Sequence, residues 1–244
     1  ETKVEDNLFP KDILIKKGYN VSCYGQKSYN GVALISRLKL EDIRLGFAGE
    51  LTKDSNVQNL DEQKRVISAL VDGIRFINVY VPNGSSVKSE KYHYKLNWLR
   101  YLKKYLIAQS KRDEPICILG DFNIALEDID IHNPDKLSGG IMATSEERKC
   151  LQDILSNKLS DIFRVFEPNS DNWSWWDYRS GAWERDKGWR IDHIYLTNEL
   201  INCAKSSAIY KKFRGNLQPS DHAPVFVDID WPQDESSEDS DFYL

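Results

Sequence analysis

No stretch of this sequence approaches the roughly 20 consecutive apolar residues that a membrane span requires. No secretory leader is visible at its start. The chain also lacks any CxxC pair, because its four cysteines (Cys23, Cys117, Cys150 and Cys203) are scattered. That argues against a zinc cluster and against a disulfide framework. Four reduced, mostly buried thiols in a cytosol-like compartment are expected. No low-complexity linker and no internal repeat interrupts residues 1–232, so one domain is expected there. The first residue is Glu1 and not Met, so a fragment or a processed form is expected. What remains is ordinary for a water-soluble globular chain of 244 residues, with 41% hydrophobic and 29% charged side chains.

An excess of positive charge is missing too, since the formal net charge is −5. The C-terminal stretch 233–244 accounts for it. It carries Asp234, Glu235, Glu238, Asp239 and Asp241 and no base, which leaves 33 acids against 33 bases elsewhere. An acidic, disordered, solvating tail is expected there. A neutral body can still present a basic face to an anionic partner.

Several elements are legible. Val32-Ala33-Leu34-Ile35-Ser36 follows an Asn30-Gly31 turn and reads as a strand. Two β-rich runs, Arg65–Val71 and Ile74–Val81, flank Asp72-Gly73, a two-residue hairpin signal. From Glu90 to Gln109 the positions Tyr94, Trp98, Leu102, Tyr105 and Leu106 form one face of a helix. Thr144-Ser145-Glu146-Glu147 has the form of a capping box opening a helix through Leu155. The runs around Ile118, Ile191 and Val225 are further strands. Antiparallel hairpins with covering helices predict an α+β sandwich.

Chemistry-bearing residues recur at the edges of those strands. Gly120-Asp121-Phe122-Asn123 follows the apolar run Pro115–Leu119. Arg190-Ile191-Asp192-His193 and Ser220-Asp221-His222-Ala223-Pro224-Val225 come later, and Glu1 lies in front of them all. Acids, an Asn and a His at several strand ends suit the metal-assisted hydrolysis of a phosphodiester. That reaction needs a hard cation on oxygen ligands, a group to deprotonate water, and donors for the charge of the transition state. Glu1 and Asp221 are candidates for the cation. Asp121 is the candidate general base, and Asn123 a candidate phosphate donor. His222, held by Asp192 in its charged form, is another phosphate contact. Tyr80 ends its strand before Pro82-Asn83-Gly84 and can offer a hydroxyl. Each has a bland alternative: a solvated terminal acid, a turn Asp or Asn, a surface His, an edge aromatic. His93, His132 and His193 are taken as structural.

Residues 173–189 hold Trp173, Trp175, Trp176, Trp183 and Trp189, five of the seven tryptophans. They either pin a loop by aromatic packing or line an apolar pocket or stacking platform. Arg179, Arg185 and Arg190 interleave with them, a pattern that suits phosphate contacts.

Together these residues resemble the exonuclease III family of abasic endonucleases, within the endonuclease/exonuclease/phosphatase superfamily. The likeness extends from Glu1-Thr2-Lys3-Val4 and Phe9-Pro10 through Tyr29-Asn30-Gly31-Val32, Tyr80-Val81-Pro82-Asn83-Gly84 and Ser174–Ser180 to Gly188–Asp192 and Ser220–Pro224. It implies a four-layered α/β-sandwich of DNase I type, with two mixed, largely antiparallel sheets face to face and helices outside. It implies Mg2+ or Mn2+ held mainly by Glu1 with Asp221 nearby, and with Asp121, Asn123 and His222 contributing to a second or shifted position. Asp121 would activate water, Asn123 and His222 would meet the phosphate, Asp192 would orient His222, and Tyr80 would be an active-site residue. Arg65 and Asn83 match backbone-contacting positions, with Tyr29 and Arg179 as further DNA contacts. Trp175, Trp189 and Ile191 match a pocket for the extruded abasic sugar. The implied reaction is cleavage 5′ to abasic sites, with 3′→5′ trimming and 3′-end cleaning of duplex DNA. A monomer working in the cytoplasm, at the nucleoid if bacterial, is implied.

In that family a strand and a helix precede the Glu1 position, about 30 residues by typical element sizes. The expectation is that this fragment folds poorly or is inactive while the intact product is active. Two other readings stay open: the same fold acting on another phosphodiester, and a damage-binding module without catalysis. For the acidic tail, a mimic of DNA competing for the active face is the alternative to a solvating end.

Overall fold

The computed structural model describes residues 1–52, 54–156 and 158–232. The acidic tail expected at 233–244 lies outside the described residues. The order of elements begins with α1 (Lys11–Lys16), β1 (Asn20–Tyr24), β2 (Val32–Ser36), β3 (Glu41–Leu45), α2 (Val57–Asp61), β4 (Val66–Val71) and β5 (Ile74–Tyr80). It continues with α3 (Glu90–Gln109), β6 (Ile116–Asp121), α4 (Pro134–Leu137), α5 (Ser145–Leu155), β7 (Ser160–Asp161) and α6 (Ile162–Phe166). It closes with β8 (Asp192–Leu196), α7 (Asn198–Cys203), β9 (Ala204–Ile209) and β10 (Val225–Ile229). None of the described helices is long and apolar enough to cross a membrane.

One six-stranded sheet, in the order β3-β4-β5-β6-β8-β7, organises the molecule. Its ladders are antiparallel except for β5–β6, which run parallel with α3 as the connecting crossover. The expected hairpin is β4–β5. Asp72 (φ 49°) and Gly73 (φ 75°) both take the positive φ that a tight primed turn demands.

Side chains alternate between the two faces of this sheet. Ile77, Val79, Ile116, Ile118 and Tyr195 pack under α3 and α5, against Trp98, Leu99, Leu102, Tyr105, Leu151 and Ile154. Ile74, Cys117, Ile194 and Leu196 point the other way, toward β10, α6 and α7. Both long helices start where their sequence says. Ser89 Oγ accepts from Tyr92 N at the head of α3, and Thr144 and Glu147 form the reciprocal capping box of α5.

The expected second sheet takes a different form. Among the described residues it is two separate ribbons, β1–β2 and β9–β10, with no ladder joining them. β2 is tied to the main sheet by Asn78 Nδ2, which donates to Ala33 O (2.9 Å). β10 packs on Ile194 and Leu196. Strand periodicity cannot report which strands share a ladder, so this separation was not legible. A cavity opens between the ribbons, walled by Val32 of β2 and Val225 of β10 and floored by Asn78, Leu119 and Gly120. Gly120 (φ 139°) is needed there, because a Cβ would lie 2.0 Å from Val79 O. All four cysteines are free, and Cys23 and Cys117 are buried.

Candidate active site

Three strand ends meet at the cavity. Tyr80 closes β5, Asp121 closes β6 and Asp192 opens β8, and the ladders place Tyr80 beside Asp121 and Asp121 beside Asp192. Asp121 is therefore the last residue of its strand and not one step past it. The loops add His222 through a bridge to Trp175, itself bridged to Trp189. The cavity, about 720 Å3, is lined by Glu1, Tyr80, Asn83, Asp121, Asn123, Trp175, Ile191, Asp192, Asp221 and His222, among others.

His222 and Asp192 form the expected dyad, with Nδ1 2.8 Å from Asp192 Oδ2. Ser174 Oγ fixes the acid's backbone by accepting from Ile191 N (3.1 Å) and Asp192 N (3.0 Å). His222 Nε2 then faces Asp121 Oδ2 at 4.0 Å. Burial opposes charge on this imidazole. Asp192, and beyond it Asp121 and Asp221, outweigh that and raise it to about 9. The two acids thus favour the charged form of the ring.

Asp121 is pushed up to about 7, first by burial and then by Asp192. Its carboxylate is braced by Asn123, whose N donates to Oδ1 (2.8 Å) and whose Nδ2 donates to Oδ2 (2.9 Å). Asn123 Nδ2 also donates to Val81 O (3.0 Å), while Asn123 Oδ1 accepts from Asn83 Nδ2 (2.8 Å). With both amide hydrogens engaged, Asn123 serves Asp121, and a phosphate contact requires exchange of one of these bonds. Burial, followed by the charges of Glu1 and Asp121, holds the Tyr80 hydroxyl well above its ordinary value, so it stays a donor.

Glu1 lines the cavity, with Oε1 accepting from Asn30 N (2.6 Å) and Oε2 3.2 Å from Lys3 Nζ. Asp221 Oδ2 accepts from Trp175 Nε1 (2.9 Å). The donor set fits a hard divalent cation through its carboxylate oxygens; Asp121, Asp192 and His222 have ligand atoms within 4.8 Å of one another, and His222 could join them only as the neutral ring. That tight group includes Asp192, which sequence reasoning placed only as the partner of His222.

The outer residues are distributed differently. Arg65 stacks on the Tyr80 ring (4.6 Å) and donates to Tyr80 O (3.0 Å), behind the cavity wall. Tyr29 is 72% exposed on its loop. Arg179 is exposed and paired with Asp177 (3.1 Å). Neither lines the cavity. Trp175 and Ile191 do, whereas Trp189 is buried with Ala125, Ile131, Met142 and Ile191. The bland reading holds for most of the tryptophans, since Trp173 and Trp176 are core residues with Trp183 packed on them. Arg190 is not a surface phosphate contact. It is buried, with Nε 2.7 Å from Asp130 Oδ1 and NH2 2.7 Å from Asp161 Oδ2. An aromatic-rich run hides this, because Asp130 lies 60 residues away. His193 and His132 lie outside the cavity, one ring nitrogen of each facing a backbone carbonyl (Nε2 of His193 with Ile124 O, Nδ1 of His132 with Gly188 O). Sequence reasoning missed Ser174 and Lys95. The only signal for Lys95 was a lysine three residues before Trp98, on the apolar face of its helix.

The sequence profile described as "Endonuclease/Exonuclease/phosphatase family" matches residues 1–222. The chain belongs to this family. Exodeoxyribonuclease III of Haemophilus influenzae is 35% identical over 241 residues, 94% of this chain and 87% of that protein. A 3′-5′ exonuclease from Neisseria meningitidis superposes with a TM-score of 0.87 at 36% identity, over 94% of this chain and 86% of that one. An AP endonuclease from Archaeoglobus fulgidus gives 0.86 at 36% identity, over 95% and 87%. Members of this family with the DNase I-like fold share the mixed sheets and helices described above.

Proposed function

We propose that this chain is a metal-dependent DNA repair nuclease, which hydrolyses the phosphodiester 5′ to abasic sites and trims or cleans 3′ ends of duplex DNA. The observation that carries this reading is the Tyr80–Asp121–Asp192 row across three adjacent strand ends, with the His222 imidazole held between the two acids. Its relatives named as an exodeoxyribonuclease, a 3′-5′ exonuclease and an AP endonuclease support the substrate class.

Glu1 and Asp221 would hold a Mg2+ or Mn2+, with Asp121, Asn123 and His222 in the same cavity, and the ion would supply positive charge for the phosphate and the departing alkoxide. Asp121, poised near neutrality, takes the proton of the attacking water at its carboxylate. Asn123 holds that carboxylate in one orientation. Charged His222 donates from Nε2 to a phosphate oxygen, and Asp192 keeps the ring aligned and protonated. Tyr80 offers its hydroxyl to the same phosphate. Arg65, Asn83, Tyr29 and Arg179 bind the DNA backbone. Trp175 and Ile191, with Trp189 packed behind them, receive the extruded sugar. The protein works as a monomer in the cytoplasm, at the nucleoid in a bacterium, and residues 1–232 act as one catalytic domain.

The test is cleavage of a duplex carrying one abasic-site analogue, with magnesium, with manganese, and with EDTA, in competition with intact duplex. Metal-dependent cutting 5′ to the lesion, favoured over intact duplex, is expected. A folded chain that cuts intact duplex equally well refutes the abasic specificity.

A further inference from the structure

Beneath the catalytic loops lies an ion pair that the mechanism above does not use. Lys95 of α3 and Glu147 of α5 are both fully buried and meet at 2.5 Å. A buried pair contributes little net stability, because desolvation of both ions offsets their attraction. Its contacts suggest another use. Lys95 Nζ donates to Asn123 O (2.7 Å) and to Asn83 O (3.2 Å). Glu147 Oε1 accepts from Met142 N (3.2 Å). Those three backbone groups belong to three separate segments, and all three residues line the cavity. The same three side chains meet again above the pair. Asn83 Nδ2 is 2.8 Å from Asn123 Oδ1 and 3.5 Å from Met142 Sδ. Asn123 and Met142 hold positive φ values of 50° and 70°. Such a conformation comes readily to Asn but is uncommon for Met.

We propose that Lys95 and Glu147 are positioning residues for hydrolysis: the pair clamps the Asn83, Asn123 and Met142 segments from below, and so sets Asp121 through Asn123. This deepens the nuclease reading and rests on it. Lys95 is suited to the task because an ammonium carries three donors, and Glu147 and the two carbonyls take one each. Removing the clamp lets Asp121 wander and loosens Asn83, while Arg65, Tyr29 and Arg179 are not held by it. A displacement of about 1 Å at such a site costs up to 100-fold in rate.

The test is the double variant Lys95→Met/Glu147→Gln, which leaves no uncompensated buried charge and keeps an acceptor for the α5 cap. Three quantities are measured: turnover on the abasic duplex, affinity for the same duplex in EDTA, and the side-chain amide NMR signals of Asn83 and Asn123. The Asn78 amide, bonded to Ala33 O away from the clamp, serves as the reference. Expected are turnover lowered about 10- to 100-fold, affinity lowered by less than turnover because only Asn83 of the backbone contacts is loosened, and shifts at Asn83 and Asn123 but not at Asn78. Turnover within about twofold of the parent in the folded variant, or unmoved Asn83 and Asn123 signals, overturns the proposal. If the double variant does not fold, Glu147→Gln alone is put through the same comparison. The NMR readout needs no substrate, so a parent chain that cuts no abasic duplex sinks the nuclease reading without touching the clamp.

Discussion

Asp121 and Asp192 share one row of the sheet, and a like-charged pair so close is unfavourable unless a cation intervenes. His222 is that cation, and the two acids raise it in turn. Removing one member therefore has a directional effect on the others. In Asp192→Asn the imidazole is expected to titrate well below 9, toward its ordinary 6.5, because burial then acts with less opposition. An NMR titration of His222 checks this, and an unchanged midpoint contradicts the dyad. Asp121→Asn is expected to lower turnover by about 100-fold or more, the scale of a lost general base, while leaving duplex affinity in EDTA near the parent's. These residues were legible because their types and order are dictated by chemistry. Lys95 was not, because an interior lysine within a helix reads as a solvated face until the partner at Glu147 is brought to it.

At the scale of elements, local signals predicted α3, α5 and the β4–β5 hairpin with close boundaries. Their determinants are local: the Ser89 cap, the Thr144/Glu147 box and the left-handed Asp72-Gly73 pair. Thr144→Ala is expected to cost about 1 kcal/mol, read in urea denaturation. The tryptophan-rich segment was ambiguous for a physical reason, since a ring can pack inward or line a cavity from the same spacing. Trp189 packs inward. Trp189→Ala is therefore expected to destabilise by about 3–5 kcal/mol. It should reduce abasic cutting and 3′-end trimming together, in proportion to the folded fraction lost. A selective loss of abasic cutting at unchanged stability would return Trp189 to the sugar pocket.

Across the whole molecule, the site is held from behind by a buried charge network joining distant segments. Asp130 meets Arg190 and Arg164, and Arg190 also meets Asp161. Burial disfavours the Asp130 carboxylate's charge, yet the arginines overcome it and bring the group down to about 2 from 3.8. A carboxyl depressed in the fold stabilises it fully above its unfolded value, and that contribution is lost as pH falls through the folded value. The window is thus about pH 4 down to 2, worth about 2 kcal/mol. Urea midpoints at pH 5, 3.5 and 2.5 test it: the parent should fall more steeply than Asp130→Asn. Parallel slopes would remove Asp130 as the acid-sensitive group.

The sequence by itself determined the periodic elements, the caps and turn, and the residues whose chemistry a phosphodiester demands, because each of these depends on neighbours within a few positions. Tertiary structure alone decided which strand ends stand side by side, that the second layer is two ribbons flanking a cavity, and which charged side chains lie inside. Those outcomes depend on ladder partners and on ion pairs such as Lys95–Glu147 and Arg190–Asp130, whose members lie 52 and 60 residues apart. No local pattern encodes a contact across that distance, and only packing brings the charges out of water together.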